Sequence, residues 1–219
     1  MTMSACILWG ATGQARVVFD ILITEGVAVR GILDNDVARD SPLRGVPIYH
    51  GVQGLEELVA ELRDDSGDPS NLGCISAIGG ARGADRIRMS RLMSTFGFRP
   101  RGVVHPSAVV STLARVAPTS QVLAGAIIGA FAEIGEHVII NSGSNVDHDC
   151  RIGEGSHIGP MAALAGEVVL GREVFVGTNA TVLPRLRVGD GAVIGAGSVV
   201  TRDVGAGCTV VGVPARVLR

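Results

Sequence analysis

From Val104 to Val200 every sixth residue is aliphatic, through Val110, Val116, Val122, Ile128, Ile134, Ile140, Val146, Ile152, Ile158, Leu164, Leu170, Val176, Val182, Val188 and Ile194, seventeen positions without a gap. Four residues after most of them stands a small side chain, as at Ala108, Ala126, Ser144, Cys150, Ala162, Ala180 and Ser198. Two inward positions in six residues match neither the period of a helix nor the plain alternation of a strand; they match a solenoid. One large and one small buried residue per unit describes a short strand and a corner. Three units close a triangular coil of about eighteen residues, which gives the stretch between five and six coils. Burying each Val, Ile or Leu is worth roughly 1.5–3 kcal/mol, and each coil needs only its neighbours. The glycines that directly follow an aliphatic, at Gly129, Gly135, Gly153, Gly159, Gly171, Gly177, Gly189 and Gly195, predict tight bends at those points.

The solenoid leaves about a hundred residues before it, enough for a second small domain, so the reading divides the chain into 1–100 and 101–219. A net charge of −2 with acids and bases interspersed gives no footprint for nucleic acid, and 3% aromatic residues leave little for base stacking. The longest apolar run, Val122 to Ala132, falls short of the roughly 18 residues of a membrane span. Cys6, Cys74, Cys150 and Cys208 show no paired or metal-type spacing, and Met1 to Ser4 carries no secretory signal. A reducing cytoplasm is the expected compartment.

In the first hundred residues, Ala5-Cys6-Ile7-Leu8-Trp9 reads as a strand buried on both faces, stopping at Gly10-Ala11-Thr12-Gly13. Val17 with Ile21 and Val18 with Leu22 give the following helix an apolar stripe that ends near Gly26. A second strand, Val27 to Leu33, closes at Asp34-Asn35-Asp36, which makes a parallel strand–helix–strand unit. Val37 to Gly54 reads as irregular, Leu55 to Leu62 as a short helix and Asp64 to Pro69 as an exposed loop. Gly73 to Ile78 is a third strand ending at Gly79-Gly80, and Met89, Leu92, Met93 and Phe96 mark a third helix, with Pro100 as a hinge. Ligands of open α/β sheets bind at the carboxyl edge, where the helix after Gly13 offers free N–H groups to a phosphate. Asp34 lies about twenty residues beyond the glycine turn, where a carboxylate can accept from ribose. A nicotinamide domain begins similarly, but Arg16 stands at the third glycine of that fingerprint; a turn with no ligand is the plain alternative.

Asn145-Val146-Asp147-His148-Asp149-Cys150 is the chemical segment of the solenoid. Val146 and Cys150 are the inward pair, so His148 faces outward at a corner between two acids. A histidine with one nitrogen held by a carboxylate and the other free is what a general base requires; a solvated corner is the plain alternative. Cys150 points into the core, as packing rather than as a nucleophile. His157, nine residues on, is expected to face outward as well.

The six-residue repeat, with Gly212-Val213-Pro214-Ala215-Arg216 closing it, resembles the hexapeptide-repeat acyltransferases. That resemblance implies a left-handed parallel β-helix. An α/β domain of Rossmann-like type followed by a repeat carrying His148-Asp149-Cys150 and Ser156-His157 resembles the nucleotide-sugar N-acetyltransferases of the bacillosamine and perosamine type, over nearly the whole chain. The sialic acid O-acetyltransferases share the plan. The resemblance implies acetyl-CoA as co-substrate, no metal, and a homotrimer with active sites between subunits. It makes His148 the base and Asp149 its orienting acid, and places His157, Gly166, Thr178 and Ala196 along the acetyl-CoA groove. Thr12, Gly13, Gln14, Asp34, Asn35, Gly79 and Asn141 fall where the family holds the nucleotide sugar. Gln14 stands where the family usually has His, and Asn35 where it often has a second Asp, so the sugar and the nucleotide stay open.

Three rivals carry different expectations. A γ-type carbonic anhydrase would draw His137, His148 and His157 onto a metal, although separations of eleven and nine residues do not resemble that family's spacing. A binding solenoid would have no affinity for acetyl-CoA. A sugar O-acetyltransferase would keep the machinery and attack with a hydroxyl.

Overall fold

The computed structural model describes residues 4–64 and 67–218. Residues 1–3 of the signal-free stretch Met1 to Ser4, and part of the Asp64–Pro69 loop, therefore lie outside the described residues. The chain separates into two compact units, one taking in the residues up to Ile78 with Asp85–Arg101, the other Gly79–Ala84 with Gly102 onward.

In the first unit, five parallel strands run β1 (Ala5–Trp9), β2 (Ala28–Asp34), β3 (Ile48–His50), β4 (Gly73–Ser76) and β5 (Arg99–Pro100), in the spatial order β3-β2-β1-β4-β5. The apolar runs of β1 and β4 are buried throughout apart from half-buried Ala5, as strands covered on both faces must be. Helices α1 (Gly13–Thr24), α2 (Gly51–Asp64) and α3 (Gly83–Thr95) accompany them. Two strands lie where the sequence reads as turns. β3 is three residues long between Pro47 and Gly51, too short for a periodic signal, and pairs through Ile32↔Ile48 and Asp34↔His50. Pro100 sits in β5, an edge strand, where a missing N–H costs nothing. Helix α2 also starts four residues before its first leucine. Gly54 allows this, because a Cβ there would lie 2.8 Å from the Tyr49 carbonyl carbon. On α3, Arg86 is fully buried and its Nη1 donates to the Ile78 carbonyl at 2.7 Å.

The second unit is the left-handed parallel β-helix. Its two-residue strands stack in register with a rise of one coil every 18 residues, as in Ile128↔Val146↔Leu164↔Val182. They form three sheets, and Thr209–Val211 with antiparallel Arg216–Val217 closes the widest of them. The six-residue aliphatics from Val122 to Val200 form one continuous core. Val104, by contrast, is 48% exposed and Val110 and Val116 only partly covered, since no coil precedes theirs.

The bends are not where the glycines suggested. From Val122 to Ile194 the residue three places after each aliphatic takes the left-handed backbone, in Gly125, Gly143, Gly155, Gly191 and Gly197 but also in Phe131, His137, Asp149, Met161, Glu167, Glu173, Asn179 and Arg185. The glycines directly after the aliphatic have ordinary backbone and serve close approach instead. A Cβ on Gly153 would lie 2.3 Å from the Gly171 carbonyl oxygen, and one on Gly159 2.6 Å from that of Val176. Coil spacing, rather than chain reversal, demands them.

Candidate active site

The candidate pair His148 and Asp149 stands on one corner of the solenoid. After the strand Asn145–Val146, the Asp147 carboxylate caps the His148 N–H at 2.7 Å. Asp149, in the left-handed position with φ 58°, turns its side chain back on its neighbour. His148 Nδ1 and Asp149 Oδ2 are 2.8 Å apart, and both side chains are about half exposed, at 54% and 52%. The carboxylate accepts Nδ1–H and leaves the lone pair on Nε2. The histidine is held above its usual pKa, chiefly by this hydrogen bond and, against some desolvation, by the charges of Asp147, Asp149 and Glu167.

Gly166 lies one coil further on, at the same corner position. It is buried, and a Cβ there would sit 2.5 Å from His148 Nε2 and 2.6 Å from Cε1. The glycine seats the ring. Glu167 beside it donates its N–H to the His148 carbonyl at 2.9 Å and was not read from the sequence; the coil period applied to Asp149 would have found it. Cys150 is fully buried, its Sγ donates to the Ala165 carbonyl at 3.2 Å, and burial pushes its thiol up to about 11. It packs.

A second polar group brings together Asn141 and His157. Asn141 Nδ2 and His157 Nε2 are 2.9 Å apart, the Asn141 Oδ1 accepts from Ser142 N–H at 2.7 Å, and His157 Nδ1 lies 3.2 Å from the Gly80 carbonyl. His157 does not face solvent, as the sequence reading expected: it is 5% exposed, with its ring edge-on to Phe175 at 5.4 Å. Its side chain leaves the coil outward, but the turn carrying Gly80 covers it. The sequence reading placed the Gly79-Gly80 turn at a ligand edge but not against His157, because nothing in a six-residue period reports on residues outside the repeat.

Thr178 and Ala196 share the corner position held by His148 and Gly166, on the preceding edge of the solenoid. Both are exposed, and the Thr178 carbonyl accepts from Gly197 N–H at 2.8 Å. The coil-to-coil ladder uses carbonyls at this position rather than N–H groups.

In the first unit, Thr12 is the N-cap of α1 with no side-chain capping bond, and Gly13 opens the helix. A Cβ on Gly13 would meet nothing within 4 Å and its φ is ordinary, so neither packing nor backbone requires glycine there. Gln14 is half-buried in the first turn. Asp34 ties the sheet edge together, its Oδ2 accepting Ala11 N–H at 2.7 Å and its Oδ1 accepting Asp36 N–H at 3.0 Å. A carboxylate has about four acceptor sites, so capacity for hydroxyls is left. Asn35 is exposed in that turn. Gly79 is half-buried at the start of the segment that joins the solenoid unit.

Residues 131–166 and 167–202 match the bacterial transferase hexapeptide (six repeats) family. Over 100% of its length the chain is similar to 98% of a variant of perosamine N-acetyltransferase from Caulobacter crescentus, solved in complex with CoA and GDP-perosamine, with 34% identity and a TM-score of 0.86. The chain belongs to the hexapeptide-repeat nucleotide-sugar N-acetyltransferases. Similar too are the acetyltransferase domain of PglB from Neisseria gonorrhoeae, solved with acetyl coenzyme A (28% identity, 99% of this chain and 100% of that one, TM-score 0.83), and WeeI from Acinetobacter baumannii (25%, 98% and 100%, 0.82). Among the described residues of this acetyltransferase, no group of three His, Cys, Asp or Glu could hold a metal ion, and no helix is long and apolar enough to cross a membrane.

Proposed function

We propose that this acetyltransferase moves the acetyl group of acetyl-CoA directly onto the amino group of a nucleotide-linked 4-amino-deoxy sugar, within a ternary complex. The observation that carries the reading is the His148 Nδ1–Asp149 Oδ2 bond of 2.8 Å, on an exposed corner. Asp149 fixes the tautomer. As the sugar nitrogen attacks the thioester carbonyl, its proton passes to His148 Nε2, and the imidazolium is stabilised by Asp147, Asp149 and Glu167. The C–S bond then breaks, and the proton goes from His148 to the departing CoA sulfur. Backbone N–H groups near Gly166 stabilise the oxyanion.

In this reading His157, Gly166, Thr178 and Ala196 border the acetyl-CoA groove, and Thr12, Gly13, Gln14, Asp34, Asn35, Gly79 and Asn141 hold the nucleotide sugar. The absence of a side-chain capping bond from Thr12 and the sterically unneeded Gly13 support a phosphate at that edge. The Caulobacter enzyme lends further support: it was crystallised with CoA and GDP-perosamine, in forms that include one histidine replaced by Asn or by Ala. The active assembly is proposed to be a homotrimer. Phe131 and Met161, 59% and 62% exposed in left-handed backbone, are the side chains we offer as covered by a neighbouring subunit. Four free cysteines suit a cytoplasmic setting.

Thiol release from acetyl-CoA tests the proposal, with UDP-, GDP- and dTDP-linked amino sugars, free sialic acid, and His148→Ala as control. Turnover of one amino sugar, lost in the variant, is expected. Activity on sialic acid alone would replace the reading with O-acetylation, and silence throughout would leave a binding solenoid.

A further inference from the structure

The hydrogen bonds around His157 have a direction, set by the one donor whose identity is not in question. Ser142 offers a backbone N–H at 2.7 Å, so the Asn141 atom that meets it is the amide oxygen. The amide nitrogen therefore faces His157 Nε2 at 2.9 Å. An amide nitrogen only donates, so Nε2 holds a lone pair. The proton of the neutral ring is then on Nδ1, where the Gly80 carbonyl accepts it at 3.2 Å. The ring is 5% exposed, edge-on to Phe175 and beside Ile139 on the adjoining strand. A flip of either side chain would oppose two donors or two acceptors in a buried place.

We propose that His157 is a positioning residue, locked as the neutral Nδ1–H tautomer, and that through it Asn141 presents its second amide N–H as a fixed donor to an acceptor oxygen of the bound substrates. The oxygen is a thioester carbonyl or a sugar hydroxyl. His157 then moves no proton, and Asn141 serves as a donor rather than as the acceptor of the sugar amine. The identity of the oxygen rests on the acetyl-transfer reading; the tautomer does not.

The first test needs no turnover. Protein labelled with ¹⁵N-histidine, free of ligands, is followed by long-range ¹H–¹⁵N correlation from about pH 5.5 to about 8.5, across the ordinary histidine range. The His157→Gln spectrum identifies the signal. Nε2 of His157 should stay unprotonated throughout while His148 titrates; a proton on Nε2, or titration of His157 alongside His148, would overturn the proposal. The second test is kinetic. Gln can place an acceptor near Nε2, whereas Asn reaches only the Nδ1 side. His157→Ala and His157→Asn should each lose about tenfold or more in kcat, and His157→Gln should recover to within about threefold of wild type, with the pH limb of His148 unmoved. Asn141→Asp, which has no donor there, should be no better than Asn141→Ala. Equal losses in His157→Gln and His157→Ala, or a wild-type rate in Asn141→Asp, would sink it. A fall in kcat at constant sugar KM in Asn141→Ala assigns the oxygen to the thioester, and a raised sugar KM assigns it to the sugar; both uphold the donor.

Discussion

Replacing Gly166 by alanine tests the seat of the proposed catalytic ring more sharply than replacing the ring. The added methyl would stand 2.5 Å from Nε2, 2.6 Å from Cε1 and 3.2 Å from Cδ2 of His148. Ordinary carbon contacts begin at about 3.5 Å, so the imidazole must retreat by about 1 Å. The Gly166 backbone is outside the left-handed region, so alanine adds no strain of its own, and the ring, 54% exposed, is free to swing. Swinging lengthens its 2.8 Å bond to Asp149 towards distances at which no hydrogen bond remains. A misplacement of about 1 Å at a reacting group costs on the order of 100-fold. Gly166→Ala should therefore lose about 100-fold in kcat/KM by thiol release, while stability falls far less than for a core substitution, because the half-exposed ring can move aside. In a His148→Ala background the same substitution should have almost no further effect, because the ring it displaces is gone. Activity within about threefold of wild type would refute the ring position. A large fall in melting temperature would show that Gly166 serves packing rather than the ring.

The raised pKa of His148 has a sign. In the proposed mechanism the base must be neutral, so kcat/KM should climb with pH through a limb displaced above the ordinary histidine range; Asp149→Asn should bring that limb down and lower the plateau, as a pH–rate profile of both proteins will show. Gly153→Ala forces a methyl to within 2.3 Å of the next coil's backbone, and thermal unfolding should register a loss of about 1–3 kcal/mol or more. Phe131→Glu together with Met161→Glu should shift sedimentation from trimer to smaller species and abolish turnover, if catalysis needs the assembly; an unchanged trimer would argue that these side chains serve another purpose.

The solenoid is legible because its period is a packing rule: each aliphatic from Val122 to Val200 meets its counterpart one coil away, and the sequence must repeat what the core repeats. The same logic explains where reading failed. Gly153 and Gly159 look like bends, since a missing Cβ in sequence does not say whether backbone freedom or close approach requires it. His157 looks exposed because the period distinguishes inward from outward and is blind to a turn arriving from seventy-seven residues away. β3 was invisible because its three residues pair by position on the edge of a sheet, without any periodicity of their own. Asp34 was legible as a special carboxylate, but its hydrogen bonds to Ala11 and Asp36 depend on two turns meeting.

The corners of the solenoid are where chemistry can be added, and the arrangement of residues along one of them bears on the proposed base. Inward positions are committed to the core and strand amides to the ladder, which leaves the second and third residues after each aliphatic. Taken one coil at a time, the second-residue column reads Thr112, Ala130, His148, Gly166, Pro184 and Arg202. Backbone does not single out His148, for Glu167 has φ 63° where Asp149 has 58°. The neighbour does. This column has one glycine, it follows the histidine by one coil, and it is buried against that ring. With the ring held where it is against Asp149, a Cβ at this position would stand 2.5 Å from Nε2, so the observed ring position requires the residue without one. The pairing of His148 with Gly166 is thus what the proposed base would need: a seat for its ring one coil away.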